Sequence, residues 1–163
     1  MMSPFDFFFI FGAKYLYLLI IAIAGVCFLF LPRLLQKQMV ALAFLAVPLV
    51  YLLTILSAHF YYDPRPFVLG HFTPLVPHDS DNGFPSDHVL LTGSIAALFY
   101  PFRKKWSYSF FVLTIIVAIS RVYVGVHHIT DIVGSAVIVG VAVGLAWFLL
   151  KKAEQRFNPV WIQ

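Results

Sequence analysis

Five long apolar runs make up most of the chain, and short polar clusters separate them. Each run has about the 20 residues that an α-helix needs to cross the hydrocarbon core of a bilayer. We therefore predict an all-α membrane protein, a helix bundle with about five transmembrane helices. The predicted helices are Ala13–Leu31, Met39–Tyr61, Ser86–Phe102, Trp106–Val126 and Thr130–Leu150.

The amino-acid composition supports this class of protein. Of the 163 residues, 61% are hydrophobic and 11% are charged, whereas soluble domains have about 45–50% apolar and about 25% charged residues. We expect one transmembrane domain over residues 1–163, because no linker or repeat interrupts the pattern. The Phe-rich stretch within residues 1–12 is predicted to lie in the membrane interface. No basic residue precedes Lys14, so we expect the first apolar run to be a retained helix rather than a leader.

Basic residues predict the orientation of the chain. Eight of the eleven fall in alternate connections, namely Arg33, Lys37, Arg103, Lys104, Lys105, Lys151, Lys152 and Arg156. Lys and Arg are enriched in cytoplasmic loops, so we place these connections in the cytoplasm. Residues 62–85, rich in Pro, then form an extracytoplasmic loop. The cytoplasmic position of these basic residues also explains the basic pI of 9.3, so nucleic acid is not needed as a partner. The expected partners are the bilayer and its lipids.

Three polar clusters fall at the outer ends of the predicted helices: Arg65-Pro66, then Pro85-Ser86-Asp87-His88, then Arg121, His127 and Asp131. Charge is costly near a bilayer, so groups kept there usually have a function. Arginine and the N-terminus of a helix both bind phosphate well. One histidine held by a carboxylate could attack phosphorus while another protonates the leaving oxygen. This chemistry needs neither a metal nor a cofactor.

Two other functions compete with this interpretation. Histidine pairs also bind haem or metal ions, although such ligands usually face one another within a bundle. A transporter could bind lipid phosphate without hydrolysing it, although no broken helix or inverted repeat is visible in the sequence. Activity that survives a chelator, and phosphate release that is lost on substitution of His127, would separate these functions from catalysis.

The three clusters resemble the signature motifs of the type 2 phosphatidic acid phosphatase superfamily, over roughly residues 58–131. The resemblance implies that His127 is the nucleophile, that Asp131 orients it and that His88 is the general acid. It also implies that the substrate phosphate is bound by Arg65, Ser86 and Arg121.

This sequence departs from the superfamily pattern at two positions. Ala58 stands where the first motif usually begins with Lys, so one expected phosphate ligand is missing. Lys14 is a speculative replacement, although an interfacial anchor is its simpler explanation; His59 is a weaker candidate. Asp87 stands where Gly is common, which adds a carboxylate next to the predicted phosphate site. Asp87 also suits the first turn of a helix, where a negative charge is favourable.

The Pro-Ser-Asp-His variant, together with Arg65-Pro66-Phe67, is similar to the bacterial undecaprenyl diphosphate phosphatases of this superfamily. The resemblance implies a multi-pass protein of the bacterial inner membrane. It would hydrolyse a polyprenyl diphosphate at the outer leaflet and so recycle the carrier lipid for peptidoglycan precursors. Phosphatidylglycerophosphate and phosphatidic acid are alternative substrates. Most of the remaining histidines are predicted to lie in the interface or in loops, and the loop carboxylates in solvent: His59, His71, His78, His128, Asp63, Asp79 and Asp81. Asp79 and Asp81 could alternatively bind a cation.

Overall fold

The chain folds into helices joined by short connections and one long loop. The structure is a computed structural model that describes residues 3–157, so the predicted interfacial segment is seen only from Ser3 onward. The helices are α1 (Pro4–Lys14), α2 (Leu16–Leu29), α3 (Arg33–Phe60), α4 (Pro66–Leu69), α5 (Asp87–Phe99), α6 (Lys104–Tyr123) and α7 (Ile129–Phe157). Within residues 3–157 there is no β-strand, only an isolated bridge between Pro64 and Asn82. The predicted all-α fold class is confirmed.

The helices α3, α6 and α7 are each long and apolar enough to cross a membrane. The helices α1 and α2 meet at a bend of 51° and together could form a fourth span. The break lies at Tyr15, two residues after the start predicted for the first transmembrane helix. The 14 apolar residues of α2 are too few to span the core alone.

The predicted third span is shorter in the structure than in the sequence interpretation. Its helix, α5, has 13 residues and is therefore about 20 Å long, less than the roughly 30 Å core of a bilayer. The helix ends at Phe99 because Pro101 cannot continue it. It lies at the centre of the bundle, in contact with α2, α3, α6 and α7.

Two apolar clusters hold α5 in place. Phe99 packs with Ile20 and Val117 from α2 and α6. Leu90 packs with Leu42 and Val139 from α3 and α7. Because neighbouring helices enclose α5 on several sides, its N-terminus has a fixed position relative to the start of α7.

The side chain of Asn82 ties together the two ends of the loop between α3 and α5. Its Oδ1 accepts hydrogen bonds from the backbone N–H groups of Asp63 (2.9 Å) and Phe84 (3.0 Å). Its Nδ2 donates to the carbonyl oxygens of Tyr61 (3.1 Å) and Ala58 (3.4 Å). Asn82 therefore fixes both ends of the loop against the end of α3.

The N-terminal helix is fixed against α6. Ser3 and Asp6 form a reciprocal capping box at the start of α1. The hydroxyl of Tyr123 donates a 2.9 Å hydrogen bond to Asp6, and the Tyr123 ring stacks on Phe9 with ring centroids 4.0 Å apart. These contacts place the end of α1 beside Arg121.

Candidate active site

His127 occupies the turn between α6 and α7 and is 3% exposed. Its Nδ1 lies 3.2 Å from Oδ2 of Asp131, which is in the first turn of α7. Its Nε2 lies 3.3 Å from Nη2 of Arg121, in the last turn of α6. An arginine can only donate, so Nε2 accepts and the proton of the neutral ring is on Nδ1, facing the carboxylate. This tautomer keeps the lone pair of Nε2 on the side of the arginine.

The protonation of His127 follows from its surroundings. Burial lowers its pKa below the ordinary value of 6.5, and the hydrogen bond with Asp131 opposes that effect only in part. The positive charges of Arg121 and Arg65 lower the pKa further. The imidazole is therefore neutral near pH 7, as a nucleophile must be.

The two arginines approach His127 from different elements. Arg65 precedes α4 and donates from Nη1 to the carbonyl oxygen of Val126 (2.9 Å), next to His127. It also donates from Nε to Asp81 (2.8 Å) and from Nη2 to the Asn82 carbonyl (3.3 Å). These bonds use three of the five N–H donors of the guanidinium, so two remain for a ligand.

Arg121 is likewise only partly satisfied. Its Nη1 donates to the carbonyl oxygen of Ala13 at 3.4 Å, and its Nη2 faces His127 and His78. Its Nε is buried and has no hydrogen-bond partner among the described residues. A buried guanidinium with an unused donor is suited to binding an anion.

Ser86 is the N-cap of α5, as predicted, but its hydroxyl does not cap the helix. The side chain is 0% exposed, and Oγ has no hydrogen-bond partner in the part of the chain that the structure describes. Ser135 of α7 holds the backbone instead, accepting from the Ser86 N–H (2.8 Å) and donating to the Asp131 carbonyl (2.7 Å). Sequence reasoning missed Ser135, whose only signal is its position one turn after Asp131.

His88 lies one residue into α5 and is half-buried. Its ring packs edge-on against Tyr17, with ring centroids 4.6 Å apart. It is close enough to Arg121 and His127 for their charges to act on it. His88, the predicted general acid, therefore lies near His127, the predicted nucleophile, but the two rings are not hydrogen-bonded to each other.

Two further residues considered as phosphate ligands, Asp87 and Lys14, are both exposed. Asp87 is exposed in the first turn of α5. Lys14 is exposed at the end of α1, and its Nζ lies 5.3 Å from the ring centroid of Tyr15. That cation–π contact fits the interfacial-anchor alternative for Lys14.

Two loop residues that were expected in solvent or in the interface belong to this cluster. His78 has its Nε2 3.0 Å from Arg121 Nη2. Burial, followed by the charges of Arg65 and Arg121, lowers the pKa of His78 below 6.5. Asp81 is paired with Arg65; partial burial alone would raise its pKa, but the hydrogen bond and charge of Arg65 lower it. The spacing of residues in the sequence does not predict the position of His78 or Asp81, because the path of the loop brings both residues to the arginines.

A groove of about 710 Å³ opens beside His127. Apolar and aromatic side chains form much of its lining, including Tyr61, Leu69, Phe72, Tyr123 and Ile129. The polar side chains in its lining include His127, His128, Asp63 and Thr130. The groove therefore presents an apolar surface directly next to the buried imidazole.

One group of side chains at the site could hold a metal ion. The ligand atoms of Asp63, His128 and Asp131 all lie within 4.8 Å of one another. Nδ1 of His128 lies 3.3 Å from Oδ1 of Asp63, and Asp63 also accepts a 2.9 Å hydrogen bond from Thr130. Oδ2 of Asp131 accepts from the backbone N–H of His128 at 2.8 Å. Oδ1 of Asp131 and Nδ1 of His128 are buried and have no hydrogen-bond partner among the described residues, so these two atoms are available to a ligand.

The fold and the site define a multi-pass, all-helical membrane protein with a buried cluster of arginines and histidines at one end of the helices. Residues 13–156 match the PAP2 superfamily, and the chain belongs to it. It is thus a membrane phosphatase of that superfamily, as the motifs predict.

Two curated relatives are similar in sequence. The chain is 32% identical over 139 residues to the bacitracin transport permease protein BcrC of Bacillus licheniformis, covering 76% of this chain and 68% of the relative. It is 37% identical over 100 residues to the undecaprenyl-diphosphatase BcrC of Bacillus subtilis, covering 60% of this chain and 48% of the relative. The second match therefore spans about half the length of that relative.

A solved structure is similar over nearly the whole chain. It is the first transmembrane PAP2-type phosphatidylglycerolphosphate phosphatase from Bacillus subtilis, with 27% identity and a TM-score of 0.57. The match covers 98% of this chain and 82% of that one. The names of these relatives therefore differ in the function or substrate that they state.

Proposed function

We propose that this protein removes a phosphate from a polyprenyl diphosphate, in particular undecaprenyl diphosphate, through a phosphohistidine intermediate. The observation that carries the proposal is the position of His127, a neutral imidazole held by Asp131 beside the unused donors of Arg121. The similarity to an undecaprenyl-diphosphatase supports this choice of substrate.

In the first step, Nε2 of His127 attacks the terminal phosphorus. A nitrogen–phosphorus bond forms, and the bond from phosphorus to the bridging oxygen breaks. His88 gives its proton to that leaving oxygen, so the lipid monophosphate departs. Asp131 stabilises the positive charge that develops on the His127 ring.

In the second step, water attacks the phosphohistidine. His88, now neutral, takes a proton from the water, and the nitrogen–phosphorus bond breaks to release inorganic phosphate. Arg65, Arg121 and the hydroxyl of Ser86 hold the phosphoryl oxygens during both steps, where the transition state spreads negative charge over them.

The groove beside His127 suits a lipid substrate. Its apolar and aromatic lining can take the start of a prenyl or acyl chain while the headgroup reaches the arginines. A phosphatidylglycerophosphate headgroup would meet the same cluster, and the similar solved structure favours it as the second candidate substrate.

A substrate panel tests the proposal. Undecaprenyl diphosphate, phosphatidylglycerophosphate and phosphatidic acid would be compared at equal surface concentration in detergent, with His127→Ala as the inactive control. We expect the highest kcat/KM for undecaprenyl diphosphate. A higher value for phosphatidylglycerophosphate would overturn the choice of substrate. If no lipid phosphate is hydrolysed by the folded wild type, the enzyme proposal is wrong and lipid-phosphate transport takes its place.

We also propose that the site faces the extracytoplasmic side of a bacterial inner membrane. The basic residues at the starts of α3 and α6 lie at the helix ends opposite the site, as do Lys151 and Lys152 of α7. A membrane-impermeant thiol reagent applied to intact cells would test this in a Cys27→Ala background. Asp79→Cys should react and Lys37→Cys should not; the reverse pattern would invert the orientation.

A further inference from the structure

His78 lies inside the arginine–histidine cluster although it belongs to none of the three motifs. Its Nε2 is 3.0 Å from Arg121 Nη2, and its ring centroid is 6.3 Å from that of His127. The chain reaches this position through the loop, where Leu75 N–H donates a 3.1 Å hydrogen bond to the Val124 carbonyl and Val76 is buried. These two anchors fix the loop against the end of α6, two residues before His78.

The contact with Arg121 determines which ring nitrogen of His78 carries the proton. Arg121 can only donate, so Nε2 of a neutral His78 accepts and the proton is on Nδ1. That Nδ1 is buried and has no hydrogen-bond partner among the described residues. A buried N–H without an acceptor is unfavourable, so this donor is available for a ligand.

The ligand that fits these donors is an oxyanion. Nε of Arg121 is also buried without a partner, and the Ser86 hydroxyl is a third such group. An oxyanion held by Arg121 would lie within reach of an imidazole that is 3.0 Å from the same guanidinium. The Nδ1–H of the neutral ring can donate to that oxyanion while Nε2 keeps its hydrogen bond from Arg121.

We propose that His78 binds a phosphate of the lipid substrate through its Nδ1–H and supplies the ligand that is missing at Ala58. This inference rests on the proposed phosphatase function and adds a specific ligand to it. Ala58 itself offers only its carbonyl oxygen, which accepts from Asn82. Lys14 is exposed and directed at the Tyr15 ring, so His78 has the better geometry for the role.

Kinetics of His78 variants test the proposal. His78→Ala should raise KM for the lipid phosphate about 10- to 100-fold, the range expected for losing a hydrogen bond to a charged group, with a smaller fall in kcat. His78→Gln, whose amide can donate a hydrogen bond to the phosphate, should restore part of the affinity, whereas His78→Phe, which has no donor, should not. An unchanged or lower KM in His78→Ala would overturn the proposal.

His71→Asn is the matched control, because it removes an exposed imidazole from the same loop. His71 has a φ of 50°, which asparagine tolerates better than most residues. We expect wild-type kinetics from this variant. A rise in KM equal to that of His78→Ala would show a general effect of the loop and would contradict a specific role for His78.

Direct binding separates this inference from the proposed function. Inorganic phosphate would be titrated calorimetrically into the purified wild type and into His78→Phe, which keeps an aromatic ring but has no hydrogen-bond donor. We expect weaker binding by the variant, and equal binding would overturn the role of His78 even if lipid hydrolysis is confirmed. Weaker phosphate binding by the variant, in a protein that hydrolyses no lipid phosphate, would reject the enzyme proposal and leave the assignment of His78 in place.

Discussion

Nδ1 of His127 lies 3.2 Å from Oδ2 of Asp131, and the two side chains are 3% and 0% exposed. The carboxylate fixes which nitrogen carries the proton, and burial keeps water from competing for it. A spacing of four residues also joins side chains within one helix, but here His127 precedes α7 and Asp131 lies in its first turn. The turn between α6 and α7 therefore sets the geometry of the pair.

We predict that Asp131→Asn lowers kcat by about 10²- to 10⁴-fold, because the amide no longer fixes the reactive tautomer or stabilises the imidazolium. His127→Ala should abolish turnover. Initial rates of phosphate release from the lipid would measure both. Asp79→Asn removes an exposed loop carboxylate and is the matched control; near-wild-type kcat in Asp131→Asn would exclude the orienting role.

The local spacing of the third motif was sufficient to predict that Arg121, His127 and Asp131 meet, because a helix end, a short turn and a helix start leave little freedom. The sequence could predict only that Arg65 and Ser86 lie at the same depth in the membrane as these three residues. The structure adds the connecting contacts, through the Val126 carbonyl and Ser135.

Other features could not be read from the sequence. His78 and Asp81 reach the arginines through an irregular loop whose path depends on Asn82 and on packing at Val76. Apolar periodicity also could not give the length of α5 or the bend at Tyr15. Pro101 sets the end of α5, whereas the bend at Tyr15 depends on tertiary contacts, since a run of apolar residues has no polar face to mark where the helix changes direction.

The lowered pKa of His127 predicts the acid side of the pH profile. The ring is reactive when neutral, so kcat/KM should fall as the pH drops through its pKa. Because burial lowers that pKa below 6.5, the fall should be centred below pH 6.5. An NMR titration of ¹⁵N-labelled imidazoles, assigned with His127→Gln, would measure the pKa directly; a value above 6.5 would contradict the environment seen here.

Asn82 is predicted to stabilise the loop that carries Arg65. Asn82→Ala removes both the acceptor for Asp63 and Phe84 and the donor to Tyr61. We expect the free energy of unfolding to fall by about 1–3 kcal/mol, because several partly buried backbone hydrogen bonds are lost together, and we expect KM to rise as Arg65 loses its support. Asn82→Asp keeps the acceptor and should be less damaging. Thermal unfolding in detergent would compare the two; equal melting temperatures for wild type and Asn82→Ala would refute this role.

Catalysis is predicted to need no divalent cation. Activity should persist in excess chelator, because the arginines and histidines supply the charge that a metal would provide. If catalysis does require a metal ion, the Asp63–His128–Asp131 group is the place where that ion would bind. A loss of activity that a divalent cation restores in the wild type, but not in His128→Ala, would assign a metal to that group.

The role of His88 can be tested by changing the leaving group. A general acid contributes about 10²- to 10⁴-fold when the leaving oxygen needs a proton, and much less when that oxygen is already a weak base. The rate of His88→Ala should therefore fall by about that factor on the lipid substrate and by far less on an activated aryl phosphate. His88→Ala also removes the ring that packs on Tyr17, so a purely structural effect would lower both rates by the same factor. Equal losses on the two substrates would thus exclude proton donation by His88, whereas unequal losses cannot come from packing alone.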